Sequence, residues 1–330
     1  METNPNILLI RLKSIGDIVF TLPAVNRVRD HFPSARITFL TSRENGALVS
    51  GFTAADEIIT VDRAAFRRWN AGGILANTLG LVRRLHRARF DLVVDFQGYG
   101  ETGWLTWLTR APQRWGSVYR RGRGWAYTRG VWRDDRIHPA DWNLSLLEQC
   151  GLRTGPVRNE FVLPAGALDE ARKFFAANRL DAARPALYLQ PFTSSPPKNW
   201  PLEKYLGLAR FWRERGVQII LSGGPGDRSR LERAQAEGFI VAAGVPRLTD
   251  VGLMKLSTLV IGGDTGFLHL AVALGKRVLM LIGRIGPGAA IPFGHADWVV
   301  APPDGSALEQ VELDRVLKAS TAAFAEGGSP

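Results

Sequence analysis

The 330-residue sequence holds one cysteine, Cys150, so no intrachain disulfide can form. Its five histidines, His31, His86, His138, His269 and His295, are scattered without the paired spacing of a zinc site. No uninterrupted apolar run approaches the roughly 20 residues of a membrane span. The short apolar run Ile7–Ile10 ends at Arg11, too soon for a signal peptide, so a soluble cytoplasmic protein is expected. No G-x-G-x-x-G follows the first predicted strand, which counts against a nicotinamide or flavin site, and there is no Walker A pattern. No D-x-D occurs, so the metal clamp of many metal-dependent sugar transferases is missing. Residues 102–133 contain no acidic side chain at all.

What is present is a chain 45% hydrophobic with mean hydropathy near zero, large enough for a sizeable core and more readily two domains than one. The formal charge is +11, which favours anionic partners: nucleic acid, acidic lipid or phosphorylated substrates.

Short apolar runs alternate with helical patterns along the whole chain, the signature of βαβ units and parallel sheets. Strands are expected at Asn6–Arg11, Arg36–Leu40, Glu57–Val61 and Leu92–Asp95, with helices at Asp17–Asp30, Ile74–Arg87 and Pro139–Gln149. The segment Gly151–Gly166, with Pro156 and Pro164, reads as a linker. A second series follows, with strands at Ala186–Gln190, Val217–Leu221, Phe239–Val241, Leu259–Ile261 and Val278–Ile282. Its helices are expected over residues 167–178, 203–215, 227–237, 250–256, 266–274 and 308–324, and Glu326–Pro330 as a frayed tail. The predicted architecture is α/β: two Rossmann-like halves, 1–163 and 164–330, facing a central cleft.

The stretch Val260-Ile261-Gly262-Gly263-Asp264-Thr265-Gly266-Phe267-Leu268-His269 reads as a strand end, a tight turn and a helix start. Glycines permit close backbone approach, and Asp264 and Thr265 are good N-cap residues. A helix starting there aims N–H groups and its positive dipole end outward, a ready phosphate or diphosphate site, and His269 returns to the same face. The segment reads equally as an ordinary strand–helix turn, with Asp264 as cap and His269 half-buried.

Arg11-Leu12-Lys13-Ser14-Ile15-Gly16-Asp17 places a carboxylate at the end of the first strand. Asp17 is either a proton acceptor for a sugar hydroxyl or merely a helix cap. In Thr193-Ser194-Ser195-Pro196-Pro197-Lys198, two hydroxyls and a cation suit a phosphate leaving group, against the plainer reading of a surface lysine. Ser222-Gly223-Gly224-Pro225-Gly226-Asp227 can admit a ribose, with Asp227 accepting from its hydroxyls, or is a plain glycine turn. Within 102–133, Arg110, Arg114, Arg120, Arg121, Arg123, Arg129 and Arg133 interleave with five of the ten tryptophans. Such a mixture suits anion recognition, a lipid–water interface or single-stranded nucleic acid, or is a solvated basic face over core tryptophans.

With these residues in place, the chain resembles the heptosyltransferases of glycosyltransferase family 9, which build the lipopolysaccharide inner core. The resemblance covers nearly the whole length. It rests on Ser14-Ile15-Gly16-Asp17 with Thr21-Leu22-Pro23-Ala24, Val94-Asp95-Phe96-Gln97-Gly98, Lys198-Asn199-Trp200-Pro201, Ser222-Gly223-Gly224-Pro225, and Gly263-Asp264-Thr265-Gly266 with His269. It implies a GT-B fold with an N-terminal acceptor domain and a C-terminal nucleotide-sugar domain. It further implies inverting transfer from an ADP-heptose-type donor, with no cofactor and no essential metal. By the family pattern Asp17 is the base, Lys198 stabilises the departing diphosphate, and Thr193 and Ser194 contact it. Thr265, Gly266 and His269 hold the phosphates, and Asp264 binds donor sugar hydroxyls. Arg11, Ser14, Arg120 and Arg123 are the expected contacts to an anionic glycolipid acceptor. The expected location is the cytoplasmic face of the inner membrane in peripheral contact, with no nucleic-acid partner. Departures leave the sugar and acceptor open: Asp227 stands where Glu is usual, Gly262 where a bulkier residue is common, and Ile282-Gly283-Arg284-Ile285-Gly286-Pro287 where Phe-Gly-Pro-Thr is frequent. A member using another nucleotide sugar or acceptor, a non-catalytic nucleotide-sugar-binding or scaffold protein, a nucleic-acid binder favoured by the charge alone, and a sugar-nucleotide epimerase of the same shape are the alternatives.

Overall fold

A computed structural model describes residues 4–63 and 80–326. The chain divides into two compact units, Met1–Val162 and Leu163–Pro330. The first unit carries strands β1 (Asn6–Ile10), β2 (Arg36–Ser42), β3 (Glu57–Val61), β4 (Leu92–Asp95), β5 (Gln113–Val118) and β6 (Arg129–Trp132). The second carries β7 (Ala186–Gln190), β8 (Gln218–Gly223), β9 (Ile240–Ala243), β10 (Leu259–Gly263), β11 (Arg277–Leu281) and β12 (Val299–Val300).

Each sheet is six-stranded and parallel throughout, in the orders β3-β2-β1-β4-β5-β6 and β12-β11-β10-β7-β8-β9. Numbered within its own unit, each has the Rossmann order 3-2-1-4-5-6. The chain reverses its winding between β1 and β4 in one sheet and between β7 and β10 in the other. Ligands of open α/β sheets bind beyond the carboxyl ends of the strands at such a switch point.

The strands are apolar on both faces because helices cover both sides of a parallel sheet. Along β10, Leu259 and Ile261 pack into the cluster with Leu187, Leu189 and Leu221, while Val260 faces the opposite cluster with Tyr188, Ile220 and Met280. This two-residue alternation divides one strand between two cores. Among the described residues no helix is long and apolar enough to cross a membrane.

Several elements differ from the sequence-based expectation. The helix expected over Asp17–Asp30 is two, Ile15–Val19 and Leu22–His31. Pro23 sits in the first turn of the second, where its missing N–H costs nothing but where it cannot continue the first helix. The Arg- and Trp-rich stretch contributes a helix, Gly100–Leu108, and the two strands β5 and β6. Residues 227–237 break into the turns Pro225–Asp227 and Ser229–Leu231 before a short helix, Glu232–Ala236. The terminal helix begins at Leu313, after a separate turn at Leu308–Gln310. Of the helix expected over Ile74–Arg87, residues 80–87 are helical and 74–79 lie outside the described residues, as do 327–330 of the expected tail.

Candidate functional site

The first cluster stands at the β1/β4 switch point. Arg11 leaves the end of β1 almost buried, and its guanidinium donates to Phe96 O at 2.6 Å and Lys13 O at 3.0 Å. Its remaining nitrogen lies 2.8 Å from Asp17 Oδ1. Asp17 Oδ2 accepts from the Ser14 backbone N–H and hydroxyl, each at 3.0 Å, so Asp17 does serve as a helix cap. Its side chain nevertheless keeps 40% exposure. Burial works to raise the Asp17 carboxyl, but the Arg11 charge and the Ser14 and Arg11 hydrogen bonds outweigh it and hold it below 3.8.

The loop after β4 fixes this arrangement from beneath. Gln97 Oε1 accepts from Leu12 N at 2.9 Å and Lys13 N at 3.2 Å, pinning the Arg11–Ser14 segment. Asp95 in turn accepts from Gln97 N at 2.9 Å, Gly98 N at 3.0 Å and the Tyr127 hydroxyl at 2.7 Å. Gly98 has φ +69°, and a Cβ there would lie 2.2 Å from Ser117 O. Burial pushes the Asp95 carboxyl up despite these donors. Gln97 belongs to a motif quoted above, but its clamping role is a contact across 85 residues that no local pattern reveals.

The second cluster stands at the β7/β10 switch point. Lys198 Nζ lies 2.5 Å from Asp264 Oδ2, and His269 Nε2 lies 3.2 Å from Asp264 Oδ1. His269 is buried and approaches Asp264 from the helix Gly266–Ala273, while Lys198 is half-exposed. Burial favours the neutral Asp264, yet its bonds to His269 and Lys198 and their charges prevail and keep it below 3.8. Thr265 is the N-cap, its hydroxyl oxygen accepting from Leu268 N at 3.3 Å and its proton aimed at Gln190 Oε1, also 3.3 Å away. The Gly266 turn thus opens a helix N-terminus beside the Lys198 ammonium.

Thr193 is held by Asn199 Oδ1, which accepts its N–H at 2.7 Å, and its hydroxyl donates to Ser195 O at 2.8 Å. Ser194 is exposed beside it. The loop carrying both packs against Gly263, where a Cβ would lie 2.5 Å from Lys198 O and 2.9 Å from Thr193 Cγ2.

Lys198 and Asp264 line a cavity of about 690 Å³. Its other walls are Leu281–Arg284, Gly286–Ala290 and Gly305–Leu308, two Gly-rich loops with an apolar floor. Of these walls the sequence singles out the Ile282–Pro287 stretch with Arg284, while Gly288–Ala290 and Gly305–Leu308 carry no signal in it.

Asp227 stands apart, after β8. Its Oδ2 accepts from Gly224 N at 2.9 Å and its Oδ1 pairs with Arg230 at 2.8 Å, closing the glycine turn on itself. Arg120 and Arg123 lie in the turn between β5 and β6, and Asp17 takes its bonds among the described residues from Ser14 and Arg11 instead. Among the described residues no three His, Cys, Asp or Glu side chains gather as a metal site.

The profile of glycosyltransferase family 9 (heptosyltransferase) matches residues 78–319. Lipopolysaccharide heptosyltransferase 1 of Pseudomonas aeruginosa is 27% identical over 88% of this chain and 82% of its own length. The glycosyl transferase family 9 structure from Veillonella parvula superposes with a TM-score of 0.86 at 21% identity, over 99% of both chains. The E. coli heptosyltransferase WaaC with ADP-2-deoxy-2-fluoro heptose superposes with a TM-score of 0.75 at 22% identity, over 96% of this chain and 99% of that one. The two parallel six-stranded Rossmann-like units are those of the GT-B fold.

Proposed function

This chain belongs to glycosyltransferase family 9, the heptosyltransferase family, and on that footing we propose that it transfers a heptose from ADP-heptose to a hydroxyl of an anionic glycolipid, the lipopolysaccharide inner core. The observation that carries the reading is the Lys198–Asp264–His269 chain at the switch point of the second unit, whose first two members line the cavity of about 690 Å³. The resemblance in sequence to a lipopolysaccharide heptosyltransferase supports the sugar and the acceptor class.

In this mechanism the second unit takes the donor. The Lys198 ammonium and the helix N-terminus at Thr265 and Gly266 receive the diphosphate, with Thr193 and Ser194 beside it. Asp264, ionised and oriented by His269, accepts from hydroxyls of the donor sugar. Asp227 accepts from the ribose once Arg230 or the Gly224 N–H yields an oxygen.

The first unit takes the acceptor, with Arg11, Ser14, Arg120 and Arg123 as its contacts. The acceptor oxygen attacks the anomeric carbon on the face opposite the diphosphate, so the configuration inverts. Its proton passes to Asp17, and the carbon–oxygen bond to ADP breaks with the electron pair leaving on the phosphate. Asp17 is a weak base because Arg11 faces it, which suits a proton that moves late, once the new bond has made the hydroxyl acidic. The negative charge that develops on the leaving ADP is offset by Lys198 and the helix end, so the proposed mechanism calls on no essential metal.

Transfer is tested by incubating the protein in EDTA with ADP-heptose and lipopolysaccharide lacking heptose, following ADP release and acceptor mass. ADP release with an acceptor gain of one heptose supports the proposal. Turnover of a UDP or GDP sugar instead would retain the mechanism and overturn the donor.

A further inference from the structure

Three tryptophans stand together on the surface of the first unit. Trp104 and Trp107 lie one turn apart on the helix Gly100–Leu108, and Trp125 comes from the turn Gly124–Ala126. Their ring centroids are 4.7 Å (Trp104–Trp125), 5.7 Å (Trp104–Trp107) and 6.0 Å (Trp107–Trp125) apart, all edge-on. Yet they are 55%, 45% and 47% exposed in chain order. The buried tryptophans behave differently: Trp142, Trp200 and Trp212 each donate Nε1 to a protein oxygen, at 2.8, 2.8 and 3.0 Å. No described residue takes such a bond from Trp104, Trp107 or Trp125. Exposing three indoles in contact is costly in water and suits a boundary where the ring is apolar-solvated and the N–H meets an oxygen.

Between residues 102 and 133 the charges have one sign, and the flanking acids are paired: Glu101 with Arg63, Asp134 with Arg136 and Asp135 with Arg133. Arg114 is spent on structure, donating to Ala126 O at 2.9 Å and to Ala111 O, and so holds the Trp125 turn against the end of the Trp104 helix. Arg129 and Arg133 are likewise engaged, on Cys150 O and Asp135. Arg110, Arg120 and Arg121 are exposed, Arg123 is partly so, and among the described residues none of the four forms an ion pair. An apolar cluster with unpaired arginines and no acid between residues 102 and 133 is complementary to an apolar layer beneath anionic headgroups.

We propose that Trp104, Trp107 and Trp125 form a wedge that seats this protein on an anionic lipid surface, with Arg110 and Arg121 on the headgroup phosphates. The helix that carries the wedge begins at the loop of Gln97, which pins Leu12 and Lys13, and Lys13 Nζ lies 5.6 Å from the Tyr99 ring centre at its N-terminus. At about 1.5 Å per residue, Trp104 and Trp107 lie about 8 and 12 Å along the helix from Tyr99. Docking therefore brings the Asp17 loop to a membrane-borne acceptor. The wedge itself does not depend on the proposed reaction.

The test is sedimentation of the protein with phosphatidylglycerol-containing vesicles and with pure phosphatidylcholine vesicles, without donor or acceptor, so its outcome is separate from that of the transfer assay. The wild type is expected to bind the anionic vesicles. Trp104→Ser, Trp107→Ser and Trp125→Ser together are expected to weaken binding by about tenfold or more, with an unchanged melting temperature and unchanged affinity for ADP. Arg110→Gln with Arg121→Gln is expected to weaken it by about fivefold per arginine and to lessen its salt dependence. Three results would overturn the proposal: no binding by the wild type, equal binding to both vesicle types, or triple-variant binding equal to wild type. A tryptophan-dependent dimer that leaves no vesicle binding would assign the surface to a second copy of the chain instead.

Discussion

Lys198 and Asp264, 66 residues apart in the chain, meet at 2.5 Å where β7 and β10 end. The carboxylate lies in no regular element, and the cation closes the single 3-10 turn Pro196–Lys198. Each is delivered by a loop at the one place in the sheet where neighbouring strands send their connections in opposite directions. Gly263 lets the two loops close, and His269 holds the far oxygen of Asp264. The pair is thus fixed by the fold rather than by chance contact on a surface.

Separate substitutions should distinguish the partners. Lys198→Ala removes charge stabilisation from the leaving diphosphate and is expected to lower kcat by about 10² to 10³. Asp264→Asn keeps the shape, loses the ionised acceptor for sugar hydroxyls, and is expected mainly to raise the donor KM. Steady-state kinetics with varied donor check both. Equal, small effects on kcat and KM in the two variants would remove the pair from the mechanism.

Asp17 is held ionised below the ordinary 3.8 chiefly through Arg11. Asp17→Asn is expected to retain donor affinity in calorimetry and to lose about 10² to 10⁴ in kcat. If Asp17 is the base, the acidic fall of kcat/KM in the wild type is expected to reflect a carboxyl below its usual value. Arg11→Met removes the opposing charge while burial remains, so that limb should move to higher pH, and Arg11→Lys should restore it in part. A pH–rate profile reads the shift, and an unmoved limb in Arg11→Met would separate Asp17 from the titrating step.

Gly263→Ala adds a Cβ that would lie 2.5 Å from a backbone oxygen, so the Thr193–Lys198 loop must move away. The expected cost is about 1–3 kcal/mol in stability, together with weaker donor binding. Thermal unfolding and donor titration check it. A variant with wild-type values in both would show that the close approach at Gly263 matters to neither.

Asp250, buried under the second sheet, accepts from Tyr188 and Ser222 hydroxyls, each at 2.8 Å. Burial pushes its carboxyl up to about 7 against the pull of these donors. The folded state therefore holds a proton that the unfolded chain, at 3.8, has released. The resulting stability is complete below about pH 4 and is lost as pH rises towards 7. Asp250→Asn carries an amide oxygen for the same two hydroxyls and nothing to titrate. Denaturant unfolding at pH 5 and pH 8 should show a larger loss in the wild type than in the variant, and equal losses would contradict the assignment.

Much of the fold was legible because a parallel sheet covered on both faces writes its strands as apolar runs. β3, β4, β7 and the helix Pro139–Gln149 match the sequence reading residue for residue. β5 and β6 escaped it because Gln113, Arg114, Arg129 and Gly130 interrupt the apolar pattern near the sheet edge. The segments carrying Asp17, Lys198 and Asp264 were readable as strand-end loops from their Gly, Ser and Pro content. Their partners were not: Arg11 on Asp17, Lys198 on Asp264 and Gln97 under Leu12 are decided by tertiary contact. The cavity wall at Gly286–Ala290 and Gly305–Leu308 has no periodicity to read.

The most direct single measurement is the acceptor-dependent release of ADP from ADP-heptose in EDTA, with the acceptor product weighed by mass spectrometry. The expected result is stoichiometric ADP and a glycolipid heavier by one heptose, both lost in Asp17→Asn while donor binding persists. No ADP release from a protein that binds ADP-heptose and is offered heptose-free lipopolysaccharide would contradict the proposed transfer.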